Sequence, residues 1–215
     1  RKLPKALRVR RQLLRDFRSD PPDLFLGIDS PDFNLSLERR LRLTGIPVIH
    51  LVSPTVWAWR SYRVAKIRRA VDRILVLFPF EKDFYEERGV PATFVGHPAA
   101  QETAGITRES ARLQLGISAS TQVLSILPGS RESEIRHLAD TFVGCMRVLA
   151  QRRPDLRFLI PFASDRVRQQ FLNLASLEGL ADRVTLHDGQ ARLCLGASNG
   201  ALLASGTAAL EAALV

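Results

Sequence analysis

An α/β fold with parallel sheets, divided into two domains with a cleft between them, is what the sequence predicts. Three observations carry that reading. Short apolar runs alternate with helical periods along the whole chain, which is the pattern of βαβ units. The alternation breaks once, across a polar, small-residue stretch at 98–121, and then restarts. Two of the apolar runs lead directly into glycine–serine turns that open helices, at the point where open α/β sheets place their ligands. The domains are accordingly drawn as residues 1–100 and 122–215, with 101–121 as a linker region that includes a short helix ending at Gly116.

Taken in order, the chain opens on a basic amphipathic helix in which Leu3, Leu7, Leu14 and Phe17 recur between arginines. Residues 24–28 form an apolar strand that Asp29, Ser30, Pro31 and Asp32 stop abruptly. A helix over 35–43 ends at Gly45, whose missing Cβ suits a left-handed cap. A strand over 47–52 precedes a loop with both tryptophans, Trp57 and Trp59. A helix over 62–70, a strand over 73–77, a short helix ending at Gly89 and a strand over 93–95 complete the first half. In the second half, strands over 122–127, 156–161 and 184–186 alternate with helices over 132–152 and 167–177. A short strand at 201–204 leads to a helix from Thr207. No internal repeat of fixed period is present. The chain starts on Arg1 and stops at Val215 within an apolar helical pattern, so it reads as part of a longer protein, incomplete in both domains.

Composition narrows the function classes. The 215 residues carry 31 Lys and Arg against 22 Asp and Glu, a net charge of +9, and 46% are hydrophobic, an ordinary globular balance. Two cysteines are too few for a disulfide framework. No apolar run approaches the ~18 residues of a membrane span. Residues 1–100 hold 19 basic and 11 acidic side chains, residues 101–215 hold 12 and 11, so the excess sits in the first half. Its basic helix reads first as a surface helix with a solvated face, and beyond that as a surface for an anionic membrane. Nucleic acid is disfavoured: the basic runs lack interleaved aromatics, and no zinc-finger or RNA-binding signature occurs.

Four segments carry candidate chemistry. In 127–134 (LPGSRESE) a strand runs into a turn whose backbone N–H groups and helix end face a bound anion. Gly129 permits close approach, Ser130 lies in the turn, and Arg131 offers a guanidinium fork for phosphate oxygens. The competing reading is a plain helix cap, with Ser130 and the first-turn glutamates satisfying the helix start. In 204–211 (ASGTAALE), Ser205, Gly206 and Thr207 repeat the arrangement, and Glu211 lies one turn on, placed to accept a ribose diol. In 27–34 (GIDSPDFN), Asp29 and Asp32 at a strand's carboxyl end are candidates for a general base, which burial would raise towards working pH. In 52–60 (VSPTVWAWR), indoles in a loop serve either as packing anchors or as a binding surface. The four histidines have no ligand-like spacing, so no metal site is expected.

With the segments 77–85 (LFPFEKDFY) and 96–98 (GHP) between them, these motifs resemble in order those of the lipid-A-disaccharide synthases, inverting glycosyltransferases of the GT-B class. The resemblance runs the length of the chain. It implies two Rossmann-like domains with the active site in the cleft, and a reaction of UDP-2,3-diacylglucosamine with 2,3-diacylglucosamine 1-phosphate (lipid X). Gly129, Ser130, Arg131, Ser205, Gly206 and Thr207 would hold the diphosphate, Glu211 the ribose, and Gln190 the uracil side. Asp32, or else Asp29, would be the base, with Asn34, Ser53, Trp57 and Arg60 on the acceptor side. Neither metal nor cofactor is implied, and the enzyme would sit in the cytoplasm, peripheral on the inner face of the inner membrane. Ser30 stands where the family usually has Ala, and 197–200 (ASNG) where it has an Ala-Asp pair, which puts a helix before Ala201 in question. The alternatives are another GT-B UDP-sugar enzyme, such as an undecaprenyl-linked transferase or a UDP-sugar 2-epimerase, or a basic membrane-surface module without activity.

Overall fold

The computed structural model describes residues 2–59 and 61–215, with the side chains of Lys2 and Leu3 also outside the description. It divides into two units, 1–97 and 98–215. Each is built on a four-stranded, all-parallel sheet.

The first unit runs α1 (Lys2–Ser19), β1 (Phe25–Ile28), α2 (Pro31–Arg42), β2 (Val48–Leu51), α3 (Val56–Trp59), α4 (Val64–Ala70), β3 (Arg73–Val76), α5 (Pro79–Glu86) and β4 (Ala92–Phe94). The strands lie in the order β1-β2-β3-β4, so each crossover moves one place along the sheet. Val48, Ile74 and Val76 from the strands and Leu35, Leu37, Leu41 and Ile67 from α2 and α4 make the buried core. The basic helix α1 seats Leu14 in that core, with Leu13 and Phe17 packed against it, and Phe17 meets Phe25 edge-on at 5.7 Å. Arg8, Arg11, Arg15 and Arg18 are exposed, and Arg10 is half-buried. Burying one apolar stripe explains why so arginine-rich a segment holds its place as a helix.

The second unit runs α6 (Pro98–Thr103), α7 (Arg108–Leu115), β5 (Val123–Leu127), α8 (Glu132–Arg152), β6 (Arg157–Phe162), α9 (Asp165–Leu174), β7 (Val184–Asp188), α10 (Ala191–Ala197), β8 (Gly200–Leu203) and α11 (Thr207–Leu214). Its strand order is β7-β6-β5-β8. The chain starts in mid-sheet at β5, steps outwards to β7, then returns through α10 to the other side. That reversal beside β5 is a topological switch point, where parallel sheets open a crevice at their carboxyl ends.

Three sequence readings need correction. Residues 101–121 belong to the second unit instead of joining two units: the short helix ending at Gly116 is present as α7, capped reciprocally by Thr107 and Ser110, burying Ala111 and Arg112 and packing on α10. The helix in question before Ala201 is present as α10, because Ser198 and Asn199 are both used internally. The Ser198 hydroxyl lies 2.8 Å from that of Ser125, while Asn199 Oδ1 accepts from the Val123 N–H and from Arg112, each at 3.0 Å. The tryptophan loop contains a helical turn, α3, and a 3-10 turn over Ser61–Arg63.

Candidate functional site

Both strand–turn–helix passages of the second unit open into one cavity. It has a volume of about 380 Å³ and lies at the carboxyl ends of β5, β6 and β8. Gly129, Ser130, Arg131, Ser205, Gly206, Thr207 and Glu211 all line it, although the two groups are more than 70 positions apart in sequence. Parallel pairing of β5 with β8 brings them together, with Leu127 opposite Leu203 in register.

The two turns are not equivalent. In the first, Glu134 folds back and its Oε2 accepts from the Ser130 N–H at 2.9 Å and the Arg131 N–H at 3.2 Å. Its Oε1 takes the Arg131 guanidinium at 3.3 Å. Gly129 makes this possible: it has φ +124°, and a Cβ there would lie 2.6 Å from Glu134 Cβ. The carboxylate of the chain itself therefore fills the amide nest, as the plain-cap reading required. Arg131 remains 80% exposed, so its guanidinium is accessible from the cavity. In the second turn, Gly206 has φ +147° and α11 begins without a side-chain cap. The N–H groups of Ser205, Gly206 and Thr207 have no partner among the described residues and lie at the positive end of α11.

Glu211 faces the cavity with a 21% exposed side chain, and Arg192 of α10 holds its Oε1 at 3.1 Å. Gln190 does not line the wall. It takes left-handed backbone at φ +58° before α10, with its amide oxygen 3.2 Å from His187 Nδ1, while Gly189 and Ala191 beside it do face the space. Cys194, on the buried face of α10, has its thiol pushed up to about 12 by burial and is inert packing.

In the first unit, Asp29 and Ser30 both take left-handed backbone, at φ 50° and 44°, immediately after β1. Asn34 holds that turn by donating to the carbonyls of Ile28 at 3.1 Å and Asp29 at 2.7 Å, a supporting role rather than one that reaches outward. Asp32 sits in the first turn of α2 and is paired with Arg63. Both aspartates are exposed, so neither has the burial that a desolvated base calls for. Ser53 is buried and donates to Glu81, whose other oxygen caps α5 through the N–H groups of Leu77 and Phe78. It ties two loops together instead of facing a ligand. Beside it Tyr85 donates to the Pro54 carbonyl at 3.3 Å, and burial pushes its phenol up to about 12. Trp57 is 40% exposed and meets Phe80 edge-on at 4.9 Å, and Phe80 stacks on Phe78. Arg60 lies outside the described residues.

Sequence reasoning named Glu134 only among the first-turn glutamates of the plain-cap reading, and it missed Arg63, Arg192 and a buried pair beneath the Asp29 turn. His50 Nδ1 and Glu38 Oε1 lie 2.6 Å apart with both side chains fully buried. Only Glu134 carried a signal, its position three residues after Arg131, which is the second half of a capping box. Among the described residues no three or more His, Cys, Asp or Glu gather as a metal site would require, and no helix is long and apolar enough to cross a membrane.

Comparison with known proteins agrees with this architecture. The S. aureus MnaA–UDP co-structure superposes with a TM-score of 0.61 at 13% identity, covering 94% of this chain and 59% of that one. UDP-GlcNAc 2-epimerase from Neisseria meningitidis, bound to UDP-GlcNAc, gives 0.58 at 17% identity, again covering 94% of this chain and 59% of that one. At such identities the likeness shows the fold, the GT-B type of two parallel α/β units. Closer in sequence are the lipid-A-disaccharide synthases of Alkalilimnicola ehrlichii, 47% identical over all of this chain and 57% of that protein, and Hahella chejuensis, 48% identical over all of this chain and 54% of that one. The chain therefore spans about half the length of these relatives. Epimerase-like alternatives are not favoured at this level of identity to the synthases. With the family profile described as lipid-A-disaccharide synthetase matching residues 1–215 throughout, the chain belongs to the lipid-A-disaccharide synthetase family.

Proposed function

We propose that this chain supplies the donor site and the acceptor-side catalytic turn of an inverting glycosyltransferase. That enzyme joins UDP-2,3-diacylglucosamine to lipid X and releases UDP and the β-1,6-linked lipid A disaccharide 1-phosphate. The observation that carries the reading is the convergence of Arg131, the 205–207 turn and Glu211 on one cavity. A diphosphate needs cationic and N–H donors, a ribose needs an acceptor for its diol, and both are met within one small volume. As the acceptor oxygen attacks the anomeric carbon, the bond to the β-phosphate breaks and charge develops on UDP. Arg131 and the free amides at the start of α11 stabilise that charge. The proton lost by the acceptor hydroxyl goes to a carboxylate of the first unit. Support favours Asp29 over Asp32, because Asp32 is already committed to Arg63, whereas Asp29 is held in a strained turn with its side chain exposed. The mechanism calls for no metal or cofactor.

Trp57 and Phe80 offer an exposed aromatic surface of the kind that suits an acylated sugar. Arg8, Arg11, Arg15 and Arg18 of α1, with Arg40 of α2, line a groove that suits an anionic membrane, consistent with a peripheral enzyme on the cytoplasmic face of the inner membrane.

Calorimetric titration with UDP tests the donor site. Arg131→Ala is expected to weaken binding about tenfold, equivalent to ~1.4 kcal/mol. Unchanged affinity in that variant would remove the diphosphate from this cavity.

A further inference from the structure

We infer that Arg192 is a positioning residue for recognition of the ribose in the donor nucleotide, acting through Glu211. The inference rests on the nucleotide reading above and adds to it a residue that does not itself line the cavity. Arg192 stands on α10, which starts directly after Gly189 and Gln190, two consecutive left-handed residues at φ +70° and +58°. That turn delivers the Arg192 guanidinium between two carboxylates of the same unit. Nη2 meets Glu211 of α11 at 3.1 Å and also pairs with Glu102 of α6. Nε is buried and has no partner among the described residues, so the side chain is held there against a polar cost rather than lying loosely on the surface. Glu211 Oε1 is thereby fixed, and Oε2 has no protein partner among the described residues.

A carboxylate on a helix facing an open cavity has several rotamers to choose between, and a diol needs it in one. Fixing one oxygen removes that freedom before the ligand arrives and leaves the second oxygen for hydroxyl donors. Charge-assisted bonds from a carboxylate to hydroxyls are the stronger kind. The site would therefore distinguish nucleotides that carry the diol from those that lack it, and the distinction depends on Arg192.

The test is calorimetric titration of the wild type, Arg192→Met, Arg192→Lys and Glu102→Gln with UDP and with 2′,3′-dideoxy-UDP. The wild type is expected to bind UDP about tenfold tighter than the dideoxy compound. Arg192→Met is expected to weaken UDP to the level of the dideoxy compound while leaving the latter's affinity unchanged. Arg192→Lys keeps part of the preference, and Glu102→Gln keeps all of it, because the Arg192–Glu211 contact survives. If Arg192→Met weakens both nucleotides equally, or keeps the wild-type preference, Arg192 has no role in diol recognition and the inference is overturned. A wild type that binds both nucleotides alike would instead overturn the ribose role of Glu211. A wild type that binds neither would overturn the nucleotide reading, and the inference falls with either.

Discussion

Asp29 and Ser30 hold left-handed backbone where most side chains resist it, and Val52, at the end of the neighbouring strand, does so at φ 72° with a β-branched side chain. Such conformations cost about 1–3 kcal/mol each and persist where surrounding contacts impose them. Asn34 is one such contact for the Asp29 turn. Separate turnover assays of Asp29→Ala and Asp32→Ala should therefore diverge. Asp29→Ala is expected to lose at least about a hundredfold in kcat, the usual scale of a general base, and Asp32→Ala much less. Equal losses would contradict the preference for Asp29. Under the same turn, Gly27 clears the space for the buried Glu38–His50 pair, since a Cβ would fall 1.9 Å from Glu38 Oε1 and 3.3 Å from His50 Nδ1. Gly27→Ala must push the carboxylate off the imidazole, and separating a buried pair costs about 3 kcal/mol or more. Urea unfolding measures this, and a loss below about 1 kcal/mol would show that the pair adapts. The glycine in GIDSPDFN was visible in the sequence, but its reason was not. Glu38 and His50 lie 11 and 23 residues further on, and only the register that pairs Gly27 with His50 brings them together.

At the scale of elements, helix α8 was legible at both ends from its first-turn glutamates and its apolar period, and the structure has it over the expected residues. Helix α2 starts four residues earlier than its apolar period suggests, because Pro31 is well suited to a first helical position. Helix α10 was obscured by Gly196 and by the polar pair Ser198-Asn199 at its end. What stabilises that end comes from α7, remote in sequence. Arg112, only 5% exposed, donates to the carbonyls of Ala197, Ser118, Ala119 and Thr121 and to the side chain of Asn199. Here a buried cation is balanced almost entirely by backbone dipoles, an arrangement that no local pattern announces. Arg112→Met strands the buried Ala197 carbonyl and removes the guanidinium from partly exposed acceptors at Ser118, Ala119, Thr121 and Asn199, so a loss of about 1–3 kcal/mol is expected. Thermal and urea denaturation would register it, and a near-neutral result would mean that water replaces the guanidinium.

For the whole molecule, the division into two parallel α/β units was legible because composition and alternation both change near residue 100. The exact joint was not: the helix ending at Gly116 was legible, but that α6 and α7 belong to the second unit shows only in their contacts with α10 and α11. The candidate donor residues were legible as two separate turns, and the pairing of β5 with β8 merges them. Since that cavity belongs wholly to the second unit, UDP should slow amide exchange there first. Protection is expected in β5, β8 and the start of α11, with β1 to β4 less affected. At a hundredfold excess over Kd the gain approaches about 2.7 kcal/mol. Hydrogen-exchange mass spectrometry with and without UDP reads this directly, and equal protection in both sheets would count against a donor site confined to the second unit. The fold-back of Glu134 onto the amides of Ser130 and Arg131 bears on the life of the protein between ligands. Those two amides need no ligand to satisfy them when the cavity is vacant. Under the proposed function, the loop would keep its shape as the cavity empties, so release of UDP would leave the site ready for the next molecule without refolding.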